Sequence, residues 1–369
     1  MRFLFVVPPL TGHINPTISV ARTLEARGHE VAWVGHPGKV RPLLPTNARL
    51  YQLPEHVDPA HANAVADKAR SARGAAALKF LWEDFLIPLA HQMRPGIDAA
   101  VTEFSPDVLV VDQQAVAGAV VAKTRKLRWA TLATTSAGIT DPLAALPQVK
   151  RWLSDHLASL GADEMSPHLV IAFTTPALVG PAERFPSQVR FVGPSISDRP
   201  EATPFPFAEL RHPCVLVSMG TVNTEACDRF YATAVAALRD TQVVLVAPPR
   251  EAPSNFIVRP YVPQLALLPY IDAVVCHGGH NTTCESLAHG LPLVIAPIKD
   301  DQPIVADQVV AAGAGLRIKF GRVTPDELRV AVDRVLTEGS FREAAHRVRV
   351  SFEDAGGATT AAAALESLA

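Results

Sequence analysis

Cysteine, aromatic side chains and any excess of one charge are scarce in this sequence, and each shortage removes a class of function. The four cysteines, Cys214, Cys227, Cys276 and Cys284, form no C-x-x-C pair in 369 residues. They read as reduced core thiols, not as a disulfide framework or a metal knuckle. Lys and Arg total 34 against 36 Asp and Glu, a net charge of -2, so no surface for nucleic acid is advertised. No D-x-D occurs, the usual carboxylate pair that holds a divalent ion against a diphosphate. The first apolar run is followed by PPLTGHINP, not G-x-G-x-x-G, and no G-K-[ST] is present. Dinucleotide chemistry and ATP hydrolysis are thereby set aside. No stretch nears the ~18 uninterrupted apolar residues of a membrane span. The opening MRFLFVVPPL has too short an apolar run, and no small-residue cleavage site, for a secretory signal. A cytoplasmic protein without a membrane span is expected.

What is present is an alternation of buried strands and helices. Apolar residues make up 48% and charged residues 19%, enough to build cores, and the length suits two domains better than one. FLFVV at Phe3–Val7 is a continuous apolar run, the mark of a central parallel strand covered on both faces. A helix should follow, capped by Asn15 with Pro16 at its first position, burying Ile18, Ala21 and Leu24 and ending at Gly28. EVAWVG, VLVVD, WATLATT and LVIAF continue the series, while 53–100 looks longer and more irregular. Five prolines crowd 194–213 without periodicity, as in a hinge. A second series then runs through CVLVSMG, QVVLVA, AVVCHGG and PLVIAP, before an Ala-rich helical tail. The fold class expected is α/β, two doubly wound Rossmann-like domains. Their bounds are 1–197 and 213–350, with a linker at 198–212 and a tail at 351–369 that packs back on the first domain.

Ligands of open parallel sheets bind beyond the carboxyl ends of the strands. His13 lies past the first strand and Asp112 ends VLVVD. A carboxylate that orients an imidazole makes a general base. In the second domain AVVC runs into HGGHNTTCESLAHGLP. Gly278 and Gly279 permit close backbone approach, and the N–H groups around Asn281, Thr282 and Thr283 converge where a helix opens. That is an anion site, most naturally for a diphosphate, with His277 placed to donate to a phosphate oxygen. A metal held by His277, His280 and His289 is disfavoured, because no Cys or carboxylate completes the set.

These residues resemble a known family. YVPQLALLPYIDAVVCHGGHNTTCESLAHGLPLVIAPIKDDQPIVADQVVAAGAG is similar to the donor-binding signature of the UDP-glycosyltransferases of GT-B fold. VVPPLTGHINPTISVARTLEARGHEV resembles their first strand, catalytic loop and helix, and FVGP and SMGT flank the linker similarly. The resemblance implies two domains facing each other across a cleft, the first for the acceptor and the second for a nucleotide sugar. It implies His13 as catalytic base with Asp112 as its partner. Tyr261 would stack on the nucleobase beside Gln264. His277, Gly279, Asn281 and Thr282, helped by Gly220 and Thr221, would bind the diphosphate. Glu285 would hold the ribose hydroxyls, and Asp301 and Gln302 the sugar. No cofactor and no metal are implied beyond the donor.

Two expectations come from chemistry beside that resemblance. A carboxylate such as Glu285 is best satisfied by two vicinal hydroxyls, so a UDP-sugar is favoured over a dTDP-sugar, at about 1 kcal/mol if one pairing is lost. Phe80, Trp82, Phe85 and the loop Thr134 to Ile139, with Ser136 and Ile139 singled out in it, are the candidate lining of an apolar acceptor cleft, suited to aromatic or polyketide-like molecules. The expected reaction is an inverting, metal-independent glycosyl transfer in natural-product, including antibiotic, biosynthesis. A nucleotide-sugar epimerase and a non-catalytic nucleotide-sugar-binding partner are the alternatives.

Overall fold

The computed structural model describes residues 1–54, 75–141, 143–144, 146–162, 165–196, 203–220 and 227–369. The chain divides into two units: Met1–Thr174 with Ala182–Ser197 and Ala355–Ala369, and Thr175–Pro181 with Asp198–Asp354. The short helix Pro176–Val179 falls in the second unit, although the sequence bounds put it in the first. The reason is Leu178, which is 2% exposed and belongs to the second unit's core with Leu216, Val274 and Phe352.

In the first unit seven strands form one parallel sheet: β1 (Arg2–Val6), β2 (Glu30–Gly35), β3 (Arg49–Gln52), β4 (Val108–Asp112), β5 (Trp129–Ala133), β6 (Leu169–Ala172) and β7 (Val189–Phe191), in the order β3-β2-β1-β4-β5-β6-β7. Side chains alternate across a strand, so Leu4 and Val6 of β1 enter one core and Phe3 and Phe5 the opposite one. Trp33 of β2 stacks on Phe5 and donates its indole N–H to the Thr17 hydroxyl at 3.0 Å, satisfying the one polar atom of that buried ring. The chain winds outward from β1 to β3, then returns to β4 on the other side. The strand order therefore reverses between β1 and β4, where such sheets hold ligands.

The helix after β1 corrects the sequence reading. It spans Thr11–Ala26, capped by Leu10 in an extended conformation, with Pro16 inside it and Asn15 not acting as the cap. The Leu10 carbonyl accepts from His13 and Ile14 N–H at 3.0 and 3.2 Å, and so starts the helix about one turn before the proline. Ile18, Ala21 and Leu24 are buried on it as expected. The irregular stretch also resolves into helix: Ala75–Lys79, a π-helical Phe80–Leu86, and Ile87–Phe104 run without a break. From the tail, the helix Gly357–Glu366 buries Ala361, Ala362 and Leu365 in the same core as Ile14 and Leu24. Glu366 accepts from His29 at 2.8 Å and Arg27 at 2.7 Å, and these two donors hold its carboxyl below the usual carboxylate range.

The second unit repeats the winding with β8 (Cys214–Ser218), β9 (Gln242–Val246), β10 (Phe256–Arg259), β11 (Ala273–Cys276), β12 (Leu293–Ile295) and β13 (Gly315–Arg317), ordered β10-β9-β8-β11-β12-β13 and parallel throughout. Its order reverses between β8 and β11. All four cysteines are buried free thiols, and burial pushes Cys227 and Cys276 up to about 11. Among the described residues no helix is long and apolar enough to cross a membrane.

Candidate active site

At the first reversal three neighbouring strands deliver three polar side chains from their carboxyl ends. His13 sits in the first turn of the helix after β1, Asp112 is the last residue of β4, and Thr134 directly follows β5. His13 Nδ1 lies 2.9 and 3.0 Å from the two oxygens of Asp112. Asp112 is fully buried, a costly position for a carboxylate unless donors surround it. Donors do: the Gln114 N–H reaches Oδ1 at 2.8 Å and the Thr134 hydroxyl reaches Oδ2 at 2.6 Å. The His13 side chain keeps 15% of its surface exposed. An imidazole whose Nδ1–H points at a carboxylate carries its lone pair on Nε2, the form that accepts a proton.

The second reversal repeats this placement with different chemistry. Met219 and Gly220 follow β8, and His277 follows β11. Gly220 has φ +78, and a methyl there would stand 2.7 Å from His277 Cε1; one at Gly279 would come closer still to Nε2. The imidazole thus packs against two backbones that only glycine leaves open. Its Nδ1 is buried without a hydrogen-bond partner among the described residues. Burial pushes the His277 pKa down, against the opposing pull of the Asp301 carboxylate and the Ser218 carbonyl.

Next to it Gly279 caps the helix His280–Ala288. The Thr283 N–H is already bonded to the Gly279 carbonyl at 3.0 Å, so Thr283 drops out of the proposed anion seat. The first turn, His280 to Thr282, has no carbonyl one turn back within the helix to receive its N–H groups. The positive end of the helix dipole lies at this first turn, at Asn281 and Thr282.

The other residues of the second unit singled out from the sequence differ in their burial. Tyr261 is 52% exposed. Glu285 is 3% exposed and accepts from Gln264 Nε2 at 2.5 Å. One carboxylate oxygen thus already accepts from the protein. Asp301 caps the helix Gln302–Ala311, following Asp300 in the left-handed region at φ +57. Gln302 Oε1 accepts from the N–H groups of Ile298 and Lys299 at 2.8 and 3.1 Å. Thr221 lies outside the described residues.

The residues assigned to an acceptor belong to the first unit. Phe80, Trp82 and Phe85 sit half-buried in the π-helical segment, and Trp82 and Phe85 pack on the core that holds Leu89 and Met93. Ile139 is half-buried against Ala133 and Val170. Ser136 is 1% exposed and presents almost no surface to a ligand. Sequence reasoning placed Thr134 in the acceptor loop and missed its hydrogen bond to Asp112. Its one signal was position, a hydroxyl at the end of the third strand in a row to reach the same corner.

The C-terminal domain model of the erythromycin biosynthesis protein CIII-like family matches residues 227–366. The UDP-glucosyltransferase YojK of Bacillus subtilis is 30% identical over 96% of this chain and 94% of its own length. The chain belongs to the UDP-glycosyltransferase family. It is a glycosyltransferase of the nucleotide-sugar, natural-product type. The 4'-demethylrebeccamycin synthase of Lentzea aerocolonigenes is also 30% identical, over 94% of each chain. Among solved structures, the kitacinnamycin glycotransferase superposes with a TM-score of 0.80 at 25% identity, covering 100% of this chain and 98% of its own. The glycosyltransferase VinC in complex with dTDP gives 0.73 at 21%, covering 100% and 99%. The two sheets are accordingly the two Rossmann-like domains of a GT-B glycosyltransferase.

Proposed function

We propose that this glycosyltransferase moves a sugar, with inversion and without a metal ion, from a UDP- or dTDP-sugar to a hydroxyl of an apolar small molecule, aromatic or polyketide-like. The observation that carries this reading is the His13–Asp112 pair, an Nδ1-anchored imidazole on a fully buried carboxylate at the reversal of the first sheet. His13 Nε2 takes the proton of the acceptor hydroxyl as its oxygen bonds to the anomeric carbon. The bond from that carbon to the diphosphate oxygen breaks, and its electron pair leaves with the diphosphate. Asp112 stabilises the imidazolium so formed.

The leaving diphosphate is received by the helix opening at Asn281 and Thr282 and by His277, at the corner kept open by Gly220 and Gly279. Tyr261 offers a face to the nucleobase, Glu285 with Gln264 meets the ribose, and Asp301 with Gln302 Nε2 meets the sugar. With no D-x-D in the chain, neutralisation of the diphosphate falls to that helix and His277. The natural-product acceptor is supported by relatives named for such compounds, 4'-demethylrebeccamycin synthase and demethyllactenocin mycarosyltransferase. Either nucleotide fits a Glu285 already paired with Gln264, and VinC was solved with dTDP.

The test is incubation with UDP-glucose or dTDP-glucose and a panel of phenolic and polyketide acceptors, with chelator present. A β-linked product from the α-linked donor is expected. An α-linked product, or activity abolished by the chelator, would overturn the corresponding part of the reading. An altered sugar with no acceptor product would indicate an epimerase.

A further inference from the structure

Thr134 has no assigned part in the reaction, yet its hydroxyl touches both members of the pair. It lies 2.6 Å from Asp112 Oδ2 and 2.7 Å from His13 Nδ1, in a residue 3% exposed. Two proton arrangements are conceivable, and the geometry decides between them. Were Thr134 to donate to Nδ1, that nitrogen would be an acceptor, and its lone pair would face both carboxylate oxygens at 2.9 and 3.0 Å. Such a contact is repulsive. With Thr134 donating to Asp112 instead, Nδ1 carries the proton, and both the carboxylate and the hydroxyl oxygen accept from it.

We infer that Thr134 is a positioning residue for the transfer: its hydroxyl locks the Asp112 carboxylate and commits His13 to the tautomer whose Nε2 is the base. Each carboxylate oxygen then has its own second donor, Gln114 N–H on Oδ1 and Thr134 on Oδ2, so the carboxylate plane cannot turn away from the imidazole. A β-branched side chain suits the task, because its rotamer is restricted and its hydroxyl is aimed without further ordering. The fold makes the contact possible. β4 and β5 are adjacent parallel strands with Asp112 in register with Leu132, which brings the residue two beyond Leu132 alongside the end of β4.

This inference rests on His13 acting as the base, and the experiment separates the two claims. Turnover, KM for both substrates and thermal midpoint are measured for the wild type, Thr134→Val, Thr134→Ser and His13→Ala. Side-chain ¹⁵N spectra of His13 report which nitrogen carries the proton. Thr134→Val should lower kcat about tenfold to a hundredfold, as expected for a displaced catalytic group, with little change in either KM. Its ¹⁵N spectrum should show a mixture of tautomers where the wild type shows Nδ1–H alone. Thr134→Ser should restore most of the rate and the single tautomer. Should the valine variant melt early, the serine variant and the wild-type spectrum still decide. A wild-type Nε2–H tautomer, a serine variant as slow as valine, or a valine variant within threefold of wild type would each overturn the inference. A His13→Ala enzyme that keeps its turnover would overturn the underlying reading instead.

Discussion

Replacing Asp112 by Asn removes a charge while keeping the shape of a fully buried polar group in the first unit. The carboxylate is fully buried and held by three donors, with His13 Nδ1 at 2.9 and 3.0 Å from its oxygens. These distances put the centres of the two charges roughly 4 Å apart once His13 is protonated. At an effective dielectric constant of about 20 that pair is worth about 4 kcal/mol. The imidazolium exists only after the proton has moved, so the loss falls on the transition state and not on the bound ground state. About 4 kcal/mol converts to about three decades in kcat. Asn also presents an NH₂ group at the place of one carboxylate oxygen, facing either Thr134 or Gln114 as well as His13 Nδ1, which favours the wrong imidazole tautomer and enlarges the loss. The assay is turnover with saturating UDP-glucose and a phenolic acceptor, alongside UDP affinity by calorimetry. UDP affinity should stay within about threefold, because the second unit is untouched. A fall in kcat of less than tenfold, or an equal fall in UDP affinity, would refute the role given to the carboxylate.

Three further outcomes follow from the second unit. Gly220→Ala places a methyl in the left-handed region and 2.7 Å from the His277 ring, so UDP affinity should fall at least about tenfold with the backbone strain costing about 1 kcal/mol of stability; unchanged affinity would remove Gly220 from the diphosphate seat. His277 is held below the ordinary histidine range by burial, so its neutral form is native, and its contribution to stability is lost as pH falls below about 6.5 and through the lowered value. A diphosphate beside it raises that pKa again, so binding of UDP-glucose at pH 6 should take up protons and at pH 8 should not. Calorimetry in buffers of different ionisation enthalpy reads this, and identical heats at pH 6, or uptake that persists in His277→Gln, contradict it. Glu285 keeps its Gln264 donor in either complex, so loss of the 2′-hydroxyl removes one pairing at about 1 kcal/mol, and UDP and dTDP should bind within about tenfold of each other; a hundredfold preference for UDP would show that both ribose hydroxyls are required.

Much of this protein is legible in its sequence because central parallel strands are buried on both faces and so appear as unbroken apolar runs. Every strand named from the sequence is there, to within three residues at its ends. The four strands not foreseen, β3, β7, β10 and β13, all lie on sheet edges and span three or four residues. With one side open they need no apolar run, and nothing local distinguishes them from loop. The helix after β1 was misplaced for a related reason. Pro16 marks a first position by propensity, but the Leu10 carbonyl, placed by the strand before it, recruits two N–H groups and starts the helix earlier.

The amino-acid order by itself determined the winding of the two units and which residues stand at their carboxyl corners, since strand ends follow from hydrophobic periodicity along the chain. His13, Asp112 and His277 were visible for that reason. The partners of those residues were decided by tertiary structure alone. Thr134 on Asp112 depends on the register of β4 against β5, and Gln264 on Glu285 joins positions 21 residues apart. Neither contact has a sequence period, because each is set by the packing of separate elements. The burial that neutralises His277 is likewise a property of the ring's surroundings and not of its place in the chain.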